Sequence, residues 1–315
     1  MSEPTGMRRV GIVGYGHLGQ YLVAKIQTEG QSLGFEISFV WNRSSEKLTG
    51  KIPEELVLTE LGDFHQRKSD LIVEVAHPQI AKDYGTAFLT HSDFMIGSPT
   101  ALADPALETR LRDAAKHHGN TLYVPSGAFW GGEDIQKMAA AGTLKALRVT
   151  MSKHPSCFRL STPLPPLGSG SGSRTVLFSG SVRDLCSIAP NNVNSMAAAA
   201  MAAHNLGFSG VTGCIVSDTD LTDWHVVLVE VTGPEFEGSG RSFTVKTERR
   251  NPAKLGAVTG NATYQSFWSS ILVSHTETDR QTDTGRFTTS IPSPSQQRNV
   301  LHYRFFLQKS MKQEE

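Results

Sequence analysis

The chain has 315 residues, with 30 basic and 30 acidic side chains and a formal net charge of zero. That length suits about two domains, and the balanced charge excludes the strong positive excess of a general nucleic-acid binder. No run of 18 apolar residues is present, Cys157, Cys186 and Cys214 show no metal-ligand spacing, and the first six residues lack an apolar signal region, so a soluble cytoplasmic protein with reduced thiols and no metal, nucleic-acid or membrane partner is expected.

The apolar run Val10–Val13 leads straight into Gly14-Tyr15-Gly16-His17-Leu18-Gly19. The apolar positions 18, 22, 23 and 26 then fit a helix with one buried face. Further strands are expected at Phe35–Trp41, Asp70–Val75, Asp93–Gly97 and Thr121–Val124, with helices at Ile80–Leu89 and Pro105–His118. Strands alternating with helices imply a parallel sheet covered on both faces.

Past Pro125 the pattern changes. Ile135–Ala141 and the Ala-rich Asn194–Leu206 read as helices, the latter able to pack closely. Ala146–Lys153, Arg174–Ser179, Gly210–Ser217, Trp224–Thr232 and Arg241–Lys246 read as strands of a second sheet. Pro163–Ser173 is Pro- then Gly/Ser-rich, the composition of a mobile loop. Lys254–Ser270 reads as a helix returning to the first domain. The expected class is α/β, an N-terminal Rossmann dinucleotide-binding domain over 1–124 followed by an α+β catalytic and oligomerisation domain over 125–250. Residues 251–270 supply the returning helix. The tail, 271–315, is rich in Ser, Thr, Gln and Asn and is expected to be disordered and dispensable, with Val300–Leu307 as a short ordered exception.

The chemistry starts at the glycines. Gly14 permits a tight turn, Gly16 lets a pyrophosphate approach the backbone, and Gly19 allows close helix–strand contact; the N–H groups from His17 and Leu18 onward meet the phosphates. At the end of the second strand, where an NAD-preferring site commonly carries an acid, this chain has Asn42-Arg43-Ser44. A carboxylate would repel a 2′-phosphate, whereas Arg43 and Ser44 can bind one, so NADP is expected alongside NAD. The competing reading is that Arg43 stacks on adenine or faces solvent.

Ala76 and His77 follow the third strand, at the edge of the sheet where ligands bind. His77 is either a catalytic or ribose-binding group or, since Pro78 follows, the start of a helix. The loops at Gly97–Asp104 and Ser126–Gly132, the latter with Ala128, lie at the same edge and complete a nicotinamide pocket. In the second domain, Asn191, Asn192 and Asn194 precede the Ala-rich helix, and their amides suit either a helix cap or a nicotinamide carboxamide. His225 follows Asp218, Asp220 and Asp223, acidic neighbours expected to raise its pKa; it is a candidate catalytic histidine.

Together, Gly14–Gly19, Pro125-Ser126-Gly127-Ala128 with Gly131-Gly132, Phe178–Val182, Pro190-Asn191-Asn192-Val193-Asn194, the strand entry at His225 and Asn251-Pro252 resemble the L-aspartate dehydrogenase family over about residues 8–270. The resemblance implies oxidative deamination of L-aspartate with NAD or NADP, the reverse amination of oxaloacetate, and a homodimer. It puts the catalytic histidine at His225 and cofactor contacts at Ala128 and at Asn192 or Asn194, Asn194 being favoured. Lys153 and Arg159 are possible partners for the substrate carboxylates. Trp130 stands where the family usually has a small residue, and Ser195-Met196 replaces the commoner Val-Ala. Two other classes stay open: a cofactor-binding sensor without turnover, and a two-domain reductase for another amino acid or a sugar. The sugar reading ranks lower, because Gly97-Ser98-Pro99-Thr100 lacks the lysine of a Glu-Lys-Pro motif.

Overall fold

The structure, a computed structural model, describes residues 6–160, 172–284 and 303–304. The loop expected at Pro163–Ser173 falls almost wholly outside them. So does most of the tail.

The first sheet is parallel throughout. Its strands are β1 (Arg8–Val13), β2 (Phe35–Trp41), β3 (Leu71–Glu74), β4 (Asp93–Ile96) and β5 (Leu122–Tyr123). Helices α1 (His17–Leu33), α2 (Pro78–His91) and α3 (Pro105–His118) make the crossovers. The spatial order is β5-β4-β3-β1-β2, so the chain reverses direction across the sheet between β1 and β3. Local signals start and stop the helices. Asp104 accepts hydrogen bonds from Ala106 N and Leu107 N at the start of α3, and Gly34 ends α1 in the left-handed region at φ 77°.

The second sheet has the order β10-β9-β6-β8-β7, with β6 (Ala146–Lys153), β7 (Arg174–Ser181), β8 (Thr212–Asp218), β9 (Trp224–Glu235) and β10 (Ser242–Pro252). Only the β6–β8 pair is parallel. Along β9, residues alternate between fully and partly buried, as a sheet with one covered face requires. Val227, Val229 and Val231 face the core, while Glu230 on the other face pairs with Lys246 at 3.3 Å.

Helices α4 (Gly132–Ala140), α5 (Val182–Ile188), α6 (Asn194–Ala202) and the single turn α7 (Gly207–Gly210) belong to this second half. The Ala-rich helix ends at Ala202, earlier than its composition suggests. From Ser195 to Ala202 every residue of α6 is buried. One cluster of buried side chains runs from Phe88 and Leu107 in the first half, through Ala197–Ala203, to Val227 and Val229. The small alanine side chains allow α6 to be buried on all sides.

The returning helix corrects the expected tail boundary. Strand β10 runs to Pro252, so the helix starts later than expected, and α8 spans Asn261–Thr284. The boundary at 271 falls inside it. Ile271 and Ser274 are fully buried, and His275 lies 4.9 Å from Phe35, ring to ring. Arg8 Nη1 donates to Ser274 Oγ at 2.9 Å. The start of the expected disordered tail is therefore part of the first domain's core. Averaging polarity over the whole tail hid the helical spacing of Phe267, Ile271 and the small Ser274. Within the expected exception at Val300–Leu307, β11 (Tyr303–Arg304) adds a parallel strand beside β5.

Candidate active site

The carboxyl ends of β1, β3 and β4 form the first half of the site. Gly14 has φ +114°, and a Cβ there would lie 2.9 Å from the backbone nitrogen of Ala76. A Cβ on Gly19 would come within 2.0 Å of the Gly14 carbonyl oxygen, so helix and turn meet at backbone distance. Gly16 is different. Nothing lies within 4 Å of a Cβ placed on it, and as N-cap of α1 it supplies no side-chain cap. The first N–H groups of α1, from His17 and Leu18 onward, thus face an open cradle at a helix N-terminus, which fits a pyrophosphate.

Asn42 ties this cradle to the end of β2: Oδ1 accepts from Tyr15 N at 3.0 Å, and Nδ2 donates to the Ser44 carbonyl at 2.9 Å. Its amide is committed to shaping the loop, while Arg43 is exposed beside it. His77 caps α2, its Nδ1 accepting from Gln79 N at 3.1 Å, which matches the helix-start reading. Ala76 and His77 also donate backbone N–H groups to Glu74, a buried carboxylate that sequence reasoning passed over.

The second half comes from the covered face of the other sheet. On β10 and β9, Asn251 stands opposite His225. On β6 and β9, Ser152 stands opposite Val226, which puts Lys153 at the level of His225. All three side chains are at least nine-tenths buried. His225 Nε2 and both amide atoms of Asn251 have no protein partner. Lys153 Nζ donates to the Val258 carbonyl at 2.9 Å. Buried polar atoms without partners are costly, so their cluster marks a place built for a ligand.

Electrostatics corrects the expectation for His225. Burial, together with the nearby Lys153 cation, lowers its pKa to about 4, against a backbone hydrogen bond at Ala257 that pulls it up. The acidic neighbours in sequence do not control it: Asp220 is exposed in the turn and bonds to Ser173 Oγ at 2.6 Å. Burial also lowers Lys153 to about 8. Near pH 7 the pair is a neutral imidazole beside an ammonium.

The asparagines separate by geometry. Asn192 is buried, accepting from Arg159 N at 2.8 Å and donating to the Cys157 carbonyl at 3.3 Å, so its amide is spent on the loop. The Asn194 Oδ1 atom is buried without a partner. Arg159 is exposed, with its guanidinium on the Ser156 and Phe158 carbonyls.

The two halves are joined directly. Arg249 Nη1 donates to the Gly127 carbonyl at 3.2 Å, next to Ala128. A Cβ on Gly127 would lie 3.9 Å from Ser195 Oγ, and Thr100 Oγ1 donates to the Pro190 carbonyl at 3.2 Å. A cleft opens here between Ser126, Gly132, Arg249 and Ser270, with Trp130 half exposed at its mouth. Lys153 and Asn251 were not singled out as a unit with His225. Only strand register brings residues 153, 225 and 251 together.

Among the described residues no three metal-ligand side chains cluster, and no helix is long and apolar enough to cross a membrane.

Comparisons with known proteins agree with this layout. Residues 14–125 match the homoserine dehydrogenase NAD-binding domain, and residues 134–270 match the aspartate dehydrogenase C-terminal domain. The aspartate dehydrogenase domain-containing protein of Danio rerio is 61% identical over 265 residues, 84% of this chain and 94% of that one. Its counterpart in Xenopus tropicalis is 57% identical over 86% of this chain and 96% of its own. An L-aspartate dehydrogenase of Methanococcoides burtonii is 30% identical over 77% of this chain and 88% of its own. The crystal structure of aspartate dehydrogenase from Thermotoga maritima has the same fold, with a TM-score of 0.60 at 21% identity, covering 90% of this chain and 99% of that one. An NAD-binding Rossmann domain is thus followed by an aspartate-dehydrogenase-type second domain, and the chain belongs to the aspartate dehydrogenase domain-containing protein family, within the NAD-binding oxidoreductases.

Proposed function

We propose that this chain is an NAD(P)-dependent L-aspartate dehydrogenase, forming iminoaspartate that hydrolyses to oxaloacetate and ammonia. The carrying observation is the buried, unpartnered Nε2 of His225 beside Lys153. The open α1 N-terminus would hold the pyrophosphate, Arg43 and Ser44 the 2′-phosphate of NADP, and Asn194 with the Ala128 loop the nicotinamide end. When bound, the nicotinamide supplies the hydride acceptor.

The chain's own groups do the rest. A neutral His225 accepts the proton that the substrate ammonium must lose, freeing the nitrogen lone pair to form the C=N bond. Its low pKa lets that proton pass on to solvent, and in the hydrolytic step the regenerated Nε2 takes one from the attacking water. The Lys153 ammonium offers a charge-assisted partner to a substrate carboxylate. Burial of the site strengthens that attraction and excludes bulk water.

The test is NADPH formation from L-aspartate and NADP at alkaline pH, with NAD as the parallel cofactor. Steady turnover is expected. NADPH binding without turnover would overturn the proposal in favour of a cofactor sensor. The open face of the second sheet supports a homodimer paired across a two-fold axis; light scattering at twice the 34.2 kDa chain mass is the expected result.

A further inference from the structure

Glu74 ends β3 with no exposed surface and no basic side chain among its hydrogen-bond partners. A buried carboxylate needs several donors to be tolerated, and four reach it. Oε1 accepts from Ala76 N at 2.7 Å, His77 N at 2.8 Å and Ser98 Oγ at 3.1 Å; Oε2 accepts from Ser98 N at 3.0 Å. Oε1 therefore bridges two different loops, the one after β3 and the one after β4, while Oε2 serves the second alone. Burial pushes the carboxyl up to about 7, against these four bonds, which favour the ionised form.

The position gives this arrangement a use. The sheet reverses order between β1 and β3, and a dinucleotide lies across such a switch point. The adenosine half belongs over β1 and β2, by Gly16 and Arg43. The other half must then cross to the ends of β3 and β4, towards the second sheet. The β4 loop reaches that sheet's domain through Thr100 and Pro190.

We propose that Glu74 is a positioning residue for the nicotinamide half of the cofactor, fixing the loops after β3 and β4 relative to each other while leaving the adenosine half untouched. It touches no reacting atom in this role. The inference rests on dinucleotide binding but not on aspartate turnover, so a chain that binds NADPH and leaves L-aspartate unchanged would sink the functional proposal and still test this one.

The discriminating variant is Glu74→Gln. Its amide can present one oxygen, so either the Ser98 N–H or the Ala76 and His77 N–H groups must face an NH2. Titrations with NADPH and with ADP, which lacks the nicotinamide half, separate the roles. NADPH affinity is expected to fall about tenfold, the scale of a lost hydrogen bond to a charged acceptor, while ADP affinity stays within about twofold. Equal losses for both ligands, or no loss for either, would overturn the proposal. If Glu74→Gln does not fold, Ser98→Ala decides the matter: it removes only the hydroxyl bond and is expected to weaken NADPH about threefold with ADP unchanged. Equal effects on the two ligands there would likewise overturn it.

Discussion

The two halves of the site prepare for their ligands in opposite ways. The first offers backbone: Gly14, Gly16 and Gly19 clear the space, and the N–H groups opening α1 point at it. The second offers side chains: Lys153, His225 and Asn251, buried on three adjacent strands with polar atoms left over. Backbone donors have no pKa and recognise a phosphate of fixed charge. Buried side chains shift their pKa values, and can exchange protons for that reason. In the proposed function, recognition belongs to the backbone half and proton transfer to the side-chain half.

The sharpest break in that comparison is His225→Ala. Turnover of L-aspartate is expected to fall about 1,000-fold, the scale of a general base, while NADPH affinity measured by fluorescence stays within about twofold. A parallel fall in cofactor affinity would show that the halves are not separable.

Next is the element they share. Ile271→Ala removes a fully buried side chain from α8, and a loss of about 3 kcal/mol is expected in denaturant unfolding. An unchanged midpoint would mean that α8 contributes little beyond Ser270.

Lys153→Met should lower kcat/KM for L-aspartate about 100-fold, as the loss of a buried charge-assisted partner does. The wild-type pH dependence sharpens this. With its folded-state pKa lowered to about 8, Lys153 is an ammonium below that pH and loses its charge above it. Succinate, a dicarboxylate without an amine, should therefore bind fully below about pH 8 and weaken by up to about tenfold per pH unit above it. The Met variant should show a flat profile.

Smallest is Arg43→Glu, expected to shift the NADP-to-NAD preference about tenfold towards NAD through repulsion of the 2′-phosphate. The ratio of kcat/KM values for the two cofactors reads it directly.

Much of the first half was legible because its signals are local. The strand–glycine–helix run needs only consecutive residues, and Pro78 marks the helix that His77 caps. The site in the second half was legible only in part. His225 stood out as a histidine, but its pKa depends on Lys153, 72 positions earlier, and on burial that no sequence neighbour reveals. Residue spacing alone does not separate Asn192 from Asn194; the resemblance favours Asn194, and the loop shows that the Asn192 amide is spent. Glu74 carried a weak signal, an acid closing a run of apolar strand residues, which makes sense only once Ser98 is placed opposite. The tail misled because composition averages over a helix face.

Helix α8 has a consequence for the site. The chain leaves the first domain after β5 and returns to it in α8, so two connections join the domains beside their shared core. The return connection passes through Ala257 and Val258, the same residues whose backbone groups hold His225 and Lys153. The outgoing one passes through Gly127, which Arg249 grips from β10. The supports of the histidine and the lysine are thus built into the covalent link between the domains, so the segment that closes the chain back onto the first domain also sets the surroundings of both groups.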